Sequence, residues 1–262
     1  MLLKVLKYDL KFTYKNLIIF YTLSLFFALL GRICSIFDTS GIMLILSKIN
    51  NGIAISMIIS VIINNLMRVW ARLVLNFYKD ESYLTHTLPV KKSTLYLSKV
   101  LCGIITMLTS TLVIAVTILI CYYSKENIEL LKNSLNLVAS IYESSITSLI
   151  LQIFTLLFLE FTFIILTGFD ALILGHKSND NKMIKSVIYG LVIYMIFNVL
   201  LLLIVYLLGT FNTDIMAIFS HESIKIETIK ILLNVIMIVY VIYLIILYLF
   251  GIKEFKKGVN VE

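Results

Sequence analysis

A single polar stretch between two long apolar stretches holds most of the side chains in this sequence that could take part in chemistry. Residues 78–99 read YKDESYLTHTLPVKKSTLYLSK and combine six charges, a histidine and several hydroxyl groups with Pro89, the only proline in the chain. Because Leu88 precedes proline, it is pushed out of helical geometry. Thr87 can cap a helix and Pro89 can open one. The stretch therefore predicts a short helix before residue 87, a turn, and a second helix.

The first of these helices, KDESYLTHT, places Tyr83 and Leu84 among polar residues. Two apolar anchors with a polar rim suit a short helix that docks into the groove of a partner protein. A simple turn needs only about 2–6 residues, and this connection is far longer. Two interpretations remain open for it, a docking element and a solvated loop.

The same stretch resembles a recurrent cytoplasmic element in bacterial permease subunits of the type-2 family of ABC transporters. In that family a segment similar to D-E-x-Y-L-T-x-T-L-P-V links the second and third membrane spans and leads into a Ser-Lys pair. His86 stands where the family has a variable, often apolar residue. The matching residues are Asp80, Glu81, Tyr83, Leu84, Thr85, Thr87, Leu88, Pro89, Val90, Ser98 and Lys99. Over the rest of the chain the resemblance is one of architecture only.

The resemblance implies a coupling segment, residues 77–99, that fits a cleft in a separate cytoplasmic ABC ATPase subunit. It also implies a second permease subunit, identical or different, and ATP with magnesium held in the ATPase subunits, so that this chain itself carries no cofactor. Closure of the ATPases would then move the membrane spans. The residues expected to couple are Asp80, Glu81, Tyr83, Leu84, Thr85, His86, Thr87, Leu88 and Pro89.

The composition of the whole chain indicates a membrane protein. The 262 residues are 60% hydrophobic and 14% charged, whereas soluble domains carry about 25% charged residues. A soluble chain with this composition would expose large apolar patches on its surface, which soluble monomers rarely do. Unbroken apolar runs favour helices over a barrel, whose strands alternate over about ten residues. We expect an all-α integral membrane protein that forms a single membrane domain over residues 1–262.

Six segments are long enough to cross about 30 Å of hydrocarbon, for which a helix needs about 20 residues. They are roughly residues 17–37, 53–75, 100–123, 147–172, 184–209 and 229–251. The basic residues between the spans are unevenly divided. One side collects sixteen Lys and Arg, at positions 4, 7, 11, 15, 68, 72, 79, 91, 92, 99, 177, 182, 185, 253, 256 and 257, and the other side six, at positions 32, 48, 125, 132, 225 and 230. This asymmetry predicts that both termini are cytoplasmic.

Residues 1–16 are amphipathic at helical period. Lys4, Lys7, Lys11 and Lys15 share one narrow stripe, and Leu3, Leu6, Leu10 and Tyr14 repeat the spacing on an adjacent one. We expect a helix that lies flat at the inner membrane surface. It could be a lipid anchor alone or could also contact a protein partner. The two longer outer loops, residues 124–146 and 210–228, have patterns that suggest short amphipathic helices.

Motifs for catalysis are absent from the sequence. The spacing of the glycines provides neither a G-x-x-x-x-G-K-[ST] loop for ATP phosphates nor a G-x-G for a dinucleotide. His86, His176 and His221 lie in three different loops, and Cys34, Cys102 and Cys121 lie in apolar runs without metal spacing. We therefore expect no enzymatic activity in this chain alone. The net charge of +7 reflects cytoplasmic loops better than nucleic-acid binding.

Polar groups within the spans could line a substrate pathway. Glu160 is an acid near mid-span, and a charge there costs on the order of 3 kcal/mol. It could face the substrate route or bind a cationic substrate; alternatively, it is protonated and hydrogen-bonded to a neighbouring helix. Asn64, Asn65, Gln152 and Asn198 are further candidates for the pathway, although hydrogen bonds between helices explain them at least as well.

Together, the residues and the resemblance predict the transmembrane subunit of an ATP-driven exporter in a bacterial plasma membrane. Its cargo would be amphipathic peptides, drugs or lipid-like molecules. Two alternatives remain. A non-transporting immunity or sensor protein would have no ATPase partner and would tolerate changes in residues 80–90. A proton-coupled secondary transporter working through Glu160 would have inverted repeats, which we do not find in the sequence. An intramembrane enzyme lacks the catalytic groups it would need.

Overall fold

The computed structural model describes residues 1–37, 41–219 and 225–258, and over these ranges the chain is helical without any strand. His221 and the end of the C-terminal tail lie outside the described residues. The helices are α1 (Leu2–Ile36), α2 (Gly41–Phe77), α3 (Ser82–Thr87), α4 (Lys92–Tyr122), α5 (Lys125–Ile141), α6 (Ile146–Gly175), α7 (Lys182–Phe211), α8 (Thr213–Met216) and α9 (Ile226–Lys256).

Six of these helices, α1, α2, α4, α6, α7 and α9, are long and apolar enough to cross a membrane. They contain 30 to 37 residues each, which at 1.5 Å per residue gives about 45 to 55 Å. Each contains one of the six segments predicted from hydropathy, except that two of the predicted segments extend one residue beyond the end of their helix. The all-α class with six candidate spans is therefore confirmed, and the helices continue well beyond the apolar segments.

The separate helix expected over residues 1–16 is not present as an element of its own, because α1 runs without interruption from Leu2 to Ile36. The sequence has no proline or glycine before Gly31 that would break it. Leu3 of the predicted apolar stripe is largely exposed and Leu6 is buried, so whether this stripe faces lipid stays a prediction. The stripe of this part of α1 that packs inside the protein is Leu6, Asp9, Thr13 and Leu17. Whether α1 contacts the membrane surface stays a prediction.

The chain divides into two compact units, the first covering Met1–Leu131 and the second beginning at Lys132. The prediction of one membrane domain remains a prediction. In the first unit, α1, α2 and α4 pack side by side and bury small or polar side chains such as Ser24, Ala28 and Thr117. Large apolar side chains such as Phe26 and Leu29 point outward. Small and polar residues inside, with large apolar residues outside, are typical of helices packed in lipid.

In the second unit, α6 packs against α7 and α9. The buried centre contains Phe163 and Phe197, whose rings are 4.6 Å apart. Gly175, the last residue of α6, lies directly against the first turn of α7. At the same end, Lys177 and Lys257 both form ion pairs with Glu254, the latter at 2.5 Å. These contacts fix the ends of α6, α7 and α9 relative to one another.

The two loops with amphipathic patterns do contain helices. α5 occupies most of the first loop, and α8 in the second is a single turn. Lys225, just before α9, donates a hydrogen bond of 2.8 Å to Asp214 in α8, and this bond raises the pKa of the lysine.

Candidate functional site

The polar stretch forms a short helix between two long ones, as predicted. α2 ends at Phe77, a turn follows in which the Ser82 amide donates to the Lys79 carbonyl at 2.7 Å, and α3 then runs from Ser82 to Thr87. Leu88 is extended, with φ −64° and ψ 137°, as expected for a residue before proline. α4 begins at Lys92. α3 is thus a discrete element that packs against α2 and is joined to α4 by a connection of four residues.

The predicted role of Thr87 as a cap is wrong. Its hydroxyl donates at 3.0 Å to the carbonyl of Leu84 within α3, and Lys91 precedes the first residue of α4 without a side-chain cap. Pro89 lies three residues before α4 rather than at its first position. The proline therefore acts by ending α3, through its effect on Leu88, and not by opening α4.

α3 has one buried and one exposed face. Ser82 and Thr85 are buried, and the Thr85 hydroxyl donates at 2.8 Å to the Glu81 carbonyl. Tyr83 and Leu84 point the opposite way and are 69% and 73% exposed. Exposed apolar side chains are ordinary on helices in contact with lipid, but α3 is a six-residue helix among charges. Its outward face presents two large anchors on a fixed base.

That base begins at Glu81, the residue immediately before α3. Its carboxylate accepts a hydrogen bond of 2.7 Å from Arg72 Nη1 and another from the side-chain amide of Asn76. Both partners lie on the last turns of α2. The first turn of α3 is therefore tied to α2 by a charged pair as well as by the chain.

Asp9 of α1 connects this pair to α4. One carboxylate oxygen of Asp9 accepts from Arg72 Nε at 3.0 Å and from Lys99 Nζ at 2.5 Å, and the other accepts from the Ser98 hydroxyl at 2.7 Å. Lys99 also donates to the Asn76 carbonyl oxygen. We call this set the buried ion network. Its members are Asp9, Arg72, Asn76, Glu81, Ser98 and Lys99.

The network balances two carboxylates against two cations. The Asp9–Lys99 pair is buried, at 1% and 3% exposure, whereas the Glu81 side chain is 44% exposed. Removing one partner of such a buried pair leaves an uncompensated charge and typically costs about 3–5 kcal/mol. Aromatic rings complete the surroundings, since the Arg72 guanidinium lies 4.6 Å from the ring centre of Phe12 and Lys99 Nζ lies 5.6 Å from that of Phe77. Such contacts favour the cations once water is excluded.

The remaining residues of the coupling segment surround this network. Asp80 is exposed in the turn before α3, and Leu88 and Pro89 are exposed after it. The His86 ring nitrogen Nε2 is 3.3 Å from the Phe77 carbonyl, so the histidine supports the end of α2. Tyr78 is buried in the turn, and this burial raises the pKa of its phenol. The segment therefore has a fixed inner side and an exposed apolar outer side.

Of the candidate pathway residues in the first unit, Asn65 is fully buried. Its amide nitrogen donates to Ser110 at 2.7 Å and its carbonyl oxygen accepts from Thr106 at 2.9 Å, so it bridges α2 and α4. Tyr21 of α1 also hydrogen-bonds Ser110, at 2.7 Å. Asn64 donates within its own helix to the Ser60 carbonyl at 2.9 Å. Asn65 thus has the helix-bridging role that the sequence left open.

In the second unit, Glu160 of α6 accepts a hydrogen bond from the Tyr240 hydroxyl of α9. Phe163 and Phe197 lie beside this pair, with ring centres 5.9 Å and 4.7 Å from that of Tyr240. Asn198 is exposed on α7, and its amide donates at 2.8 Å to a carbonyl of its own helix. Gln152 is partly exposed two turns before Glu160. A role of these residues in a substrate pathway stays a prediction.

Sequence reasoning missed Asp9, Arg72 and Asn76 as parts of the site. A signal for Asp9 is present in the sequence, because Leu6, Asp9, Thr13 and Leu17 follow helical spacings of 3, 4 and 4 opposite the lysine stripe. An acid on the buried face of a helix needs a cationic partner. The identity of that partner is not visible in local spacing, since Lys99 is 90 residues away.

Comparisons of the chain with protein-family models, with curated proteins and with solved structures found no match. The functional interpretation therefore depends on the chemistry of the residues described above.

Proposed function

We propose that this chain is the transmembrane subunit of an ATP-driven ABC exporter, and that α3 is the element through which it couples to separate cytoplasmic ATPase subunits. The observation that carries the proposal is the combination in α3 of an exposed anchor pair, Tyr83 and Leu84, with a buried ion network at its base. A solvated loop would need neither. The resemblance of residues 78–99 to the type-2 permease element supports the same assignment.

In this proposal, the ATPase receives Tyr83 and Leu84 in a cleft, and ATP with magnesium is bound and hydrolysed there. Movement of the cleft displaces α3. Because Glu81 is bonded to Arg72, and Arg72 shares Asp9 with Lys99, the displacement passes to α2, α1 and α4 together. The Glu81–Arg72 pair is partly exposed, but the Asp9–Lys99 pair that joins α1 to α4 is buried, and breaking such a buried pair costs several kcal/mol.

The other parts of the assignment are proposals of the same kind. The chain pairs with a second permease subunit in a bacterial plasma membrane, with both termini in the cytoplasm. The cargo is amphipathic or lipid-like, and Glu160, Asn64, Gln152 and Asn198 contribute to its route, whereas the fully buried Asn65 joins α2 to α4. The immunity or sensor alternative and the proton-coupled alternative both dispense with an ATPase, so the presence of that partner separates them from the exporter.

The test is affinity purification of the full-length protein from its native membrane, followed by identification of the proteins that copurify. We expect a soluble ABC ATPase to copurify with the wild type and to be lost from Tyr83→Ala/Leu84→Ala. The matched control is Leu130→Ala/Tyr123→Ala, which removes a leucine and a tyrosine of comparable exposure, 64% and 57%, from the side of the membrane predicted to be outside.

Loss of the ATPase from the α3 variant alone would support the assignment. Retention of the ATPase by the α3 variant would show that α3 is not the coupling element. Absence of any ATPase from the wild type, under conditions that keep membrane partners together, would favour the immunity or sensor protein.

A further inference from the structure

The seventeen-residue helix α5 has an apolar half that the protein itself does not cover. Its large apolar side chains are exposed along its whole length, and Ala139 is its one buried residue. The exposed ones are Ile128, Leu130, Leu131, Leu137, Val138 and Ile141.

The two halves of α5 follow from helical geometry. At 100° per residue, Ile128, Leu131, Leu135 and Val138 form one stripe, and Leu130, Leu137 and Ile141 lie beside it. The opposite half is polar throughout. It contains Lys125, Glu126, Glu129, Lys132, Asn133, Asn136 and Ser140. An amphipathic helix of this kind, with low overall hydrophobicity, is suited to an interface between water and an apolar phase.

Both ends of α5 are tied closely to helices that can cross a membrane. α4 ends at Tyr122, and the Asn127 side chain donates to the Tyr122 carbonyl at 2.9 Å. At the other end, the Ser144 amide donates to the Ala139 carbonyl at 3.0 Å, and the Ser145 hydroxyl caps α6 by accepting from the Ser148 amide. These short connections keep the first turn of α5 beside the end of α4 and its last turn beside the start of α6.

The end of α4 has the features of a membrane surface. Tyr122 and Tyr123 are exposed at the end of α4, and exposed tyrosines are enriched where hydrocarbon meets water. Along the chain, the exposed apolar side chains of α5 follow exposed ones in α4, such as Leu119, and precede exposed ones in α6, such as Ile150. An amphipathic helix that directly joins two candidate membrane spans is most simply covered by the same lipid.

We propose that α5 lies in the plane of the membrane surface where α4 ends and α6 begins, with its apolar half among the acyl chains and its polar half in water. The charge distribution along the chain predicts that this is the outer surface. Lys125 and Lys132 balance Glu126 and Glu129 on the polar half. Binding therefore depends on burial of apolar area and not on anionic headgroups.

The test uses the full-length protein in phosphatidylcholine vesicles and needs no ATPase, so its outcome is independent of the proposed function. Trp70, the single tryptophan, is replaced by Phe, and a new tryptophan is introduced at the centre of either half of α5. Val138→Trp reports on the apolar half. Asn136→Trp, two residues away on the polar half, is the matched control, and Leu131→Trp replaces Val138→Trp if that variant does not fold.

We expect lipid brominated on its acyl chains to quench Val138→Trp at least about twofold more than Asn136→Trp, and acrylamide to show the reverse order. Adding anionic lipid should leave both unchanged. Strong quenching of Val138→Trp by acrylamide would place that half in water and overturn the proposal. Shielding of Val138→Trp from both quenchers would also overturn it, because the half would then be covered by protein.

Discussion

Asp9 illustrates what the sequence reveals at the scale of a residue and what it hides. It lies within a run of lysines, so its charge suggests a local surface pair. In the structure it is buried on the opposite face of α1 and contacts Arg72, Ser98 and Lys99 from two other helices. Glu81, Ser98 and Lys99 could be identified in advance through their resemblance to a known element. Asp9 is recognisable only as an acid on the buried face of its helix, and its pairing with Arg72 and Lys99 could not be predicted, because it depends on how distant helices pack.

We predict that Asp9→Asn lowers the free energy of unfolding by about 3 kcal/mol or more, because it leaves Arg72 and Lys99 with one carboxylate between them. The measurement is the midpoint of thermal unfolding of the purified protein in detergent. Asp80→Asn, in the exposed turn, is the control and should be neutral. Asp9→Asn/Lys99→Met restores the charge balance and should recover part of the loss. An unaltered midpoint for Asp9→Asn would contradict the account of the network.

At the scale of elements, hydropathy identified the six long helices but not where they begin and end. α2, for example, extends from Gly41 to Phe77, whereas the predicted span covered residues 53–75. Hydropathy identifies the segment that is apolar enough to lie in hydrocarbon. The helix itself continues beyond that segment wherever tertiary contacts stabilise the additional turns. For the start of α2, the Ser47 hydroxyl provides such a contact by donating at 2.9 Å to the Gly31 carbonyl of α1, and the buried ion network does so for the start of α4 through Ser98 and Lys99.

The close approach of α6 and α7 leads to a prediction for these elements. A Cβ atom at Gly175 would lie 2.6 Å from the backbone nitrogen of Ser186 and 2.7 Å from the carbonyl oxygen of Lys182, so Gly175→Ala must push the helices apart. We expect a clear fall in the thermal midpoint, corresponding to roughly 1–3 kcal/mol. Gly52→Ala is the control, since nothing lies within 4 Å of a Cβ there. Equal midpoints for the two variants would show that this contact does not matter.

At the scale of the whole molecule, composition and the position of charges predicted more than any single motif did. The burial of small and polar residues with apolar residues outside agrees with helices in lipid. The orientation across the membrane rests on the uneven division of Lys and Arg alone. The division of the chain into two compact units was not predicted, because it depends on which helices contact one another and hydropathy carries no information about that.

The orientation gives a prediction of its own. Cys34 is first replaced in the protein, and single cysteines are then introduced at the surface. In intact cells, a membrane-impermeant thiol reagent should label Lys132→Cys on α5 and should not label Lys79→Cys in the turn before α3. Both positions are exposed in the structure, so differences in labelling report the side of the membrane. After the cells are permeabilised, both variants should react. Labelling of Lys79→Cys in intact cells would place α3 outside and exclude contact with a cytoplasmic ATPase.

The most direct test of the central claim is site-specific photo-crosslinking from Leu84 in the native membrane. With a photoreactive amino acid at position 84, we expect a crosslinked product that contains this chain and an ABC ATPase. The same group at Leu130, which is similarly exposed on α5 at the side predicted to be outside, should give no such product. If position 84 forms no crosslink to an ATPase in cells where the protein is correctly inserted, α3 is not a coupling element and the exporter assignment fails.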